Sequence, residues 1–248
     1  MYNPFTLAGK TIFITGASSG IGKAIAIECS KMGATVIISG RNIERLNETY
    51  CKLEGKGHLQ FITDLCNSNK LKELVMVLPG LDGIVHCAGV ADPLPFQFVN
   101  NEKLKHVFDV NFTAPTLLTQ KLLKIKKVNK NASIVFVSSI SGVFCSSIGG
   151  SVYSASKGAI NGLAKGMALD LAPKSIRVNC VNPGMIQTNI FESGKISEEQ
   201  LEVDVKRYPL KRYGRPEEVA YAVIYLLSDA SKWVTGSNLL IDGGYTLL

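Results

Sequence analysis

Thr11-Ile-Phe-Ile-Thr15-Gly16-Ala17-Ser18-Ser19-Gly20-Ile21-Gly22 is the stretch whose reading decides the fold. Its first five residues are strand-like, an uninterrupted apolar core of Ile12, Phe13 and Ile14 between two β-branched threonines, as expected of a strand covered on both faces. From Ile21 to Met32 the apolar residues instead recur at helical spacing. Gly16, Gly20 and Gly22 stand between the two patterns. Glycines there let the chain turn sharply and approach a pyrophosphate closely, and the free N–H groups of the following helix favour an anion. Gly16, Ser18, Ser19, Gly20, Ile21 and Gly22 are therefore candidate cofactor-binding residues.

Further along the chain the same alternation repeats. Strand-like runs are expected at 34–39, 58–63, 83–87, 133–138, 176–181 and 238–241. Helical patterns lie between them at 43–53, 70–77, most of 101–126, 151–171 and 217–227. Strict β–α alternation with wholly apolar strands implies an α/β, doubly wound, Rossmann-type parallel sheet flanked by helices. No internal repeat, low-complexity tract or linker divides the chain, so one domain over 1–248 is expected. Ligands of such sheets bind beyond the carboxyl ends of the strands, in the loops after Thr15, Ser39, Thr63, Cys87, Ser138 and Val181.

The wider composition excludes several classes. The chain has 248 residues, 46% of them apolar and 19% charged, with a net charge of +7. Those values fit a globular chain with a large core and argue against disorder, collagen-like repeats and a disulfide scaffold. The six cysteines are scattered without a C-x-x-C, and His58, His86 and His106 are equally dispersed, so no metal site is expected. No apolar run approaches a membrane span and no signal peptide is visible, which makes the cytoplasm the expected location. The positive excess is local. Lys121, Lys124, Lys126, Lys127 and Lys130 form one cluster, and Lys206, Arg207, Lys211, Arg212 and Arg215 another. The Lys-rich run at 121–130 contains no aromatic, so a nucleic-acid partner is not expected. Both clusters read as solvated, and one of them is suited to guiding a phosphorylated or carrier-bound substrate.

The pattern Thr15-Gly16-x-x-x-Gly20-Ile21-Gly22 resembles that of the short-chain dehydrogenase/reductase family. Further matches follow in order: Asp64 in Thr-Asp-Leu, Ala88-Gly89, Asn111, Tyr153-x-x-x-Lys157, Pro183-Gly184, Gly236 and Asp242-Gly243-Gly244. The resemblance covers about Leu7 to Tyr245. It implies a seven-stranded sheet in the order 3-2-1-4-5-6-7, a nicotinamide cofactor, and interconversion of a ketone and a secondary alcohol. Members of this family usually form homotetramers. Many of similar size are 3-oxoacyl-[acyl-carrier-protein] reductases, while sugar and steroid chemistry also occurs.

The residue after the second strand bears on the cofactor. A carboxylate there would hold a ribose 2′-hydroxyl, whereas Arg41 pairs with a 2′-phosphate, so NADP(H) is favoured over NAD(H). The resemblance adds Asp64, expected to bond the adenine amino group, and Leu65, expected to offer a main-chain contact. It also adds Ala88, Gly89, Pro183, Gly184, Ile186 and Thr188 to the cofactor-binding set.

Tyr153 and Lys157, four residues apart, share one face of a helix. A phenol is a weak acid at neutral pH, and a nearby ammonium favours its ionised form. The resemblance gives this pair the acid/base role, with Ser139 holding the substrate oxygen and Asn111 bending its helix, holding a water in a proton relay with Lys157 and linking that relay to solvent. By composition Ser138, Ser141, Ser146 and Ser147 are also available. Two departures stand out. The Ser139-to-Tyr153 interval is one residue longer than in many relatives. Cys87 also stands where the family's Asn-Ala-Gly places its Asn. Val90, Leu94, Pro95, Phe96, Val143, Phe144, Ile148, Met185, Ile190 and Phe191 are expected to wall an apolar substrate pocket. Residues 186–208 read as a polar lid over it.

Overall fold

The computed structural model of the chain describes residues 2–188 and 198–248. Its centre is a seven-stranded sheet in the order β3-β2-β1-β4-β5-β6-β7. The strands are β1 (Thr11–Thr15), β2 (Thr35–Gly40), β3 (Leu59–Ile62), β4 (Leu81–His86), β5 (Val128–Val137), β6 (Arg177–Pro183) and β7 (Asn238–Ile241). Every pairing is parallel. β1 lies between β2 and β4, with Thr15 level with Ser39 on one side and His86 on the other. That register brings three cleft loops to one rim. The fold expected from the alternation, including the strand order implied by the family resemblance, is the one observed.

Side-chain period explains the layers. Along β1, Ile12 and Ile14 enter one buried cluster and Phe13 the other. The first cluster packs under α1 (Gly20–Lys31) and α8 (Pro216–Leu227), with Ile25, Val219 and Val223 facing Val36, Val135 and Val181. The second packs under α3 (Ser68–Val77), α5 (Ala114–Lys124) and α6 (Ser151–Leu171), with Leu71, Leu118 and Ile160 against Ile37, Ile84 and Phe136. Burial of each such side chain is worth about 1.5–3 kcal/mol, so both sheet faces contribute to stability.

α2 (Ile43–Tyr50) follows β2, its N-terminus capped by Asn42, whose side chain accepts the Arg45 N–H. α4 (Asn101–Phe108) is capped the same way by Asn100, through the Lys103 N–H. α8 begins at Pro216, and Glu218 reaches back to accept the Arg215 N–H at 2.7 Å.

Two features go beyond the apolar pattern of the sequence. The helix expected over most of 101–126 is interrupted at Asn111, where the resemblance expects a bend: between α4 and α5, Asp109–Thr113 form a π-turn. There the Ala114 N–H bonds back five residues to the Asp109 carbonyl. A wide turn of this kind inserts one residue and rotates the side chains around it. In addition, residues 198–205 of the expected lid form a further helix, α7 (Glu198–Val205). The segment after it is pinned by Tyr208, buried, whose hydroxyl accepts the Met185 N–H at 3.2 Å. Among the described residues no helix is long and apolar enough to cross a membrane, and no cluster of ligands suits a metal ion.

Candidate active site

Beyond the carboxyl ends of β1, β2, β4 and β5 lies a cleft of about 430 Å³. Gly16, Ser18, Ser19, Gly20, Ile21 and Gly22 form one wall. Close packing dictates the last of these glycines. A Cβ on Gly22 would lie 2.3 Å from the Gly16 carbonyl oxygen, so no side chain fits while the turn keeps its shape. α1 starts at Gly20 with no side-chain cap and no acid in its first turn, leaving its leading N–H groups for a ligand.

The far end of the cleft is formed by Ser39, Gly40, Arg41, Thr63, Leu65 and Cys66. The hydroxyls of Ser39 and Thr63 are buried there without a partner. Two orphaned hydroxyls, an uncapped helix start and a glycine wall suit a polar, anionic ligand of dinucleotide length. Arg41 is exposed at this end and carries its only nearby lining cation. Leu65 lines the cleft, while Asp64 does not: its Oδ1 accepts the Cys66 N–H at 3.0 Å. The following helix is capped not by Asp64 but by Asn67.

The middle of the cleft is built from Cys87, Ala88, Gly89 and Val90 after β4. Thr15 Oγ1 accepts the N–H groups of Cys87 and Ala88 at 3.1 and 3.3 Å, so the β1 end holds the β4 end directly. Burial pushes the Cys87 thiol up to about 12, with Lys157 opposing, which makes it a neutral, unreactive filler. Asn111 lies within the π-turn, buried. Its Oδ1 accepts the Val90 N–H at 2.8 Å, and its Nδ2 donates to the Val90 carbonyl and to Ser156 Oγ at 2.9 and 3.0 Å. The amide thus clamps the β4 loop onto α6.

Tyr153 and Lys157 line the inner end, both on α6. The Lys157 ammonium stands 5.7 Å from the Tyr153 ring centroid and donates to the Val137 carbonyl at 2.9 Å. Gly89 lies beside it, where a Cβ would be 3.5 Å from Lys157 Nζ. Of the serines, Ser138 lines the cleft, but its hydroxyl is turned inward and donates to the Lys157 carbonyl at 3.2 Å. Ser146 pairs with Ser154 at 2.8 Å. Ser139 is buried just behind the cleft lining; its hydroxyl accepts the Ser141 N–H at 3.1 Å and donates to no group among the described residues.

The loop after β5 closes on α6 because of a glycine. Gly142 has φ +97°, and a Cβ there would fall 2.1 Å from the Ser154 carbonyl oxygen. Only glycine permits this contact, which brings the Ser139 strand end against the helix of Tyr153. Further into the same loop, Ile148 is wholly exposed, and Phe96, Val143 and Phe144 are also exposed. Leu94 packs its N–H on the Gly149 carbonyl. Ile190 and Phe191 lie outside the described residues.

The other expected contacts divide. Thr188 lines the cleft, facing Gly20. The Pro183 carbonyl accepts the Ile140 N–H, and the Gly184 N–H bonds to Ile241. Ile186 is buried in a separate small cavity of about 130 Å³ with Tyr208 and Ile241. The second basic cluster is exposed, as expected, although Arg207 and Arg212 have acidic partners. Arg212 forms a two-toothed pair with Glu218, and Arg207 lies 4.8 Å above the Tyr245 ring. Two structurally engaged residues had no motif to announce them: Asn161 and Asn182. The available signal was a polar residue on an otherwise apolar helix face or strand.

The family described as Enoyl-(Acyl carrier protein) reductase matches residues 16–246. The 3-oxoacyl-[acyl-carrier-protein] reductase FabG of Rickettsia felis is 36% identical over 242 residues, covering 98% of this chain and 99% of its own. Glucose 1-dehydrogenase of Gluconobacter oxydans is 34% identical, covering 97% of this chain and 93% of its own. A candidate 2-deoxy-D-gluconate 3-dehydrogenase of Agrobacterium tumefaciens, solved with bound NADP, superposes with a TM-score of 0.89 at 29% identity, covering all of both chains. A glycine-walled dinucleotide cleft, the seven-stranded order and these relatives agree: the chain belongs to the short-chain dehydrogenase/reductase family of oxidoreductases.

Proposed function

We propose that the whole chain is one nicotinamide-binding domain that reduces a ketone to a secondary alcohol, and the reverse, with NADP(H) favoured over NAD(H). One observation carries this reading: the Lys157 ammonium held 5.7 Å from the Tyr153 ring at the inner end of the cleft. When bound, the nicotinamide supplies or accepts the hydride. Tyr153 gives its phenolic proton to the oxygen that becomes the alcohol. Lys157 stabilises the negative charge left on the phenol oxygen. Ser139 donates its free hydroxyl proton to the same substrate oxygen and holds it in place. Asn111 has its amide committed to Val90 and Ser156, so its part in a proton relay falls to the main chain of the π-turn.

Ser18, Ser19 and the glycine wall take the pyrophosphate on this reading, and Arg41 takes the 2′-phosphate. Leu65 borders the adenine from the cleft wall, and Asp64 adjoins it from outside the lining. Ala88, Gly89 and Thr188 contact the nicotinamide half from the lining, with Pro183, Gly184 and Ile186 behind it. The exposed apolar residues Phe96, Val143, Phe144 and Ile148 suit an acyl chain, and the second basic cluster suits an acidic carrier, as with the relative from Rickettsia felis. A sugar or other secondary alcohol is the alternative, in line with the Gluconobacter relative. The enzyme is read as a cytoplasmic homotetramer.

Paired titrations with NADPH and NADH, then a panel of a 3-oxoacyl thioester, a keto sugar acid and a simple aromatic ketone, test the reading. Tyr153→Phe is expected to bind NADPH as the parent does and lose most turnover. Full activity in Tyr153→Phe, or tighter binding of NADH, overturns the corresponding part.

A further inference from the structure

Behind Ser139 and Lys157, three buried polar side chains form a connected set with two main-chain carbonyls, in which Asn182 Oδ1 alone has no partner among the described residues. Asn161 lies one turn beyond Lys157 on α6, and its Nδ2 donates to the Lys157 carbonyl and to Ser138 Oγ, both at 2.7 Å. Ser138 Oγ donates in turn to the Lys157 carbonyl at 3.2 Å. Asn182, on β6, donates through Nδ2 to Asn161 Oδ1 at 3.1 Å and to the Ser139 carbonyl at 2.8 Å. Both amides are buried, Asn182 completely.

Every donor proton in the set has an acceptor: two from Asn161, two from Asn182 and one from Ser138. Turning the Asn182 amide over would face its oxygen to the Ser139 carbonyl and to Asn161 Oδ1, and turning Asn161 would face oxygen to the Lys157 carbonyl. The orientation is therefore unique. The result is a continuous run of hydrogen bonds from the main chain of Lys157, through two amides, to the main chain of Ser139. It joins three elements: α6, the end of β5 and the end of β6.

A space-filling role does not require this chemistry. Apolar side chains of similar shape fill a buried volume at least as well, because buried amides must first lose water. What amides add is a fixed distance and angle between the groups they join. We propose that Asn161 and Asn182 are positioning residues that set the Ser139 hydroxyl relative to Tyr153 and Lys157. The inference rests on the reading above that those three residues act on the substrate. Neither asparagine lines the cleft, and the side chain of each is spent on Ser138, Ser139, Lys157 or the other amide. A misplacement of about 1 Å in such a site costs rate on the order of a hundredfold while leaving remote binding intact.

The test uses Asn161→Leu, Asn182→Leu and the double variant, each with NADPH and the panel ketone the parent enzyme reduces fastest. Each single variant is expected to lose about 10- to 100-fold in kcat, with KM and the NADPH Kd within about threefold of the parent. The double variant is expected to be no worse than the poorer single, because both break one coupled run. A kcat within about threefold of the parent, a loss confined to KM or Kd, or losses that multiply in the double variant each overturn the proposal. If the Leu variants do not fold, Asn161→Ser and Asn182→Ser keep a small polar group, and the same kinetic criteria apply to them. Tyr153→Phe in the parent background separates the two levels. Full activity there defeats the catalytic reading itself, whereas an inactive Tyr153→Phe beside fully active asparagine variants defeats only the brace.

Discussion

Acid is expected to destabilise this protein through one histidine. His86 ends β4, is buried, and stacks on Phe136 with ring centroids 4.8 Å apart and planes 17° from parallel. The Thr119 hydroxyl donates to the Pro115 carbonyl at 2.9 Å, so its oxygen must accept the His86 Nε2–H at 2.7 Å. That assigns the tautomer and leaves Nδ1 bare, buried and without a partner. Burial pushes the His86 pKa down to about 3. An unfolded histidine titrates near ~6.5. Below that pH the unfolded chain takes up a proton that the native chain refuses. Stability is therefore full above about pH 6.5 and falls, as pH drops toward 3, by about 1.4 kcal/mol per unit. Between pH 7 and 5 the loss is about 2 kcal/mol, while carboxylates in both states stay largely ionised. His86→Gln keeps an N–H for Thr119 and removes the titration. Urea unfolding of both proteins at pH 7 and pH 5 is the assay. The parent is expected to lose about 2 kcal/mol more than His86→Gln over that interval. A difference below about 0.5 kcal/mol would refute the buried-neutral assignment.

Arg41→Ala is expected to weaken NADPH binding by about 10- to 100-fold, the worth of a charge-assisted bond to phosphate, and to leave NADH binding nearly unchanged. Isothermal titration of both cofactors measures it, and equal losses for the two would remove Arg41 from the 2′-phosphate. Native alkylation with iodoacetamide, read by peptide mass spectrometry, is expected to label the exposed Cys51, spare the buried Cys29 and Cys180, and label the half-buried Cys87 only slowly because its thiol stays protonated. Desolvation raises these last three thiols, Cys87 and Cys180 to about 12. Rapid labelling of Cys87 would instead mean an open and ionisable thiol beside Lys157.

Much of this molecule was legible before any coordinate. Ile12, Phe13 and Ile14 announced a strand covered on both sides, because each face of a doubly wound sheet must bury its own row. The glycine turn was legible because sterics leave few residues able to approach a neighbouring backbone so closely, and Gly22 at 2.3 Å from a carbonyl is that constraint made explicit. Tyr153 and Lys157 followed from helix geometry, since residues four apart share a face. The break in the helix over 101–126 was not legible in its apolar spacing, which continues across Asp109–Thr113.

Local pattern alone determined the element types, the loops at the carboxyl rim and the pair on α6, since these depend on short-range sterics and periodic burial. Tertiary structure alone decided which serine is free. Ser138 and Ser139 are adjacent and chemically identical, and only the arrival of Asn161, Asn182 and the Lys157 carbonyl from other elements consumes one hydroxyl and spares the other. It also decided that His86 is buried and neutral and that Arg212 is tied to Glu218. Each of those outcomes depends on partners distant in the chain, whose approach is set by sheet order and packing, quantities that no single stretch of sequence contains.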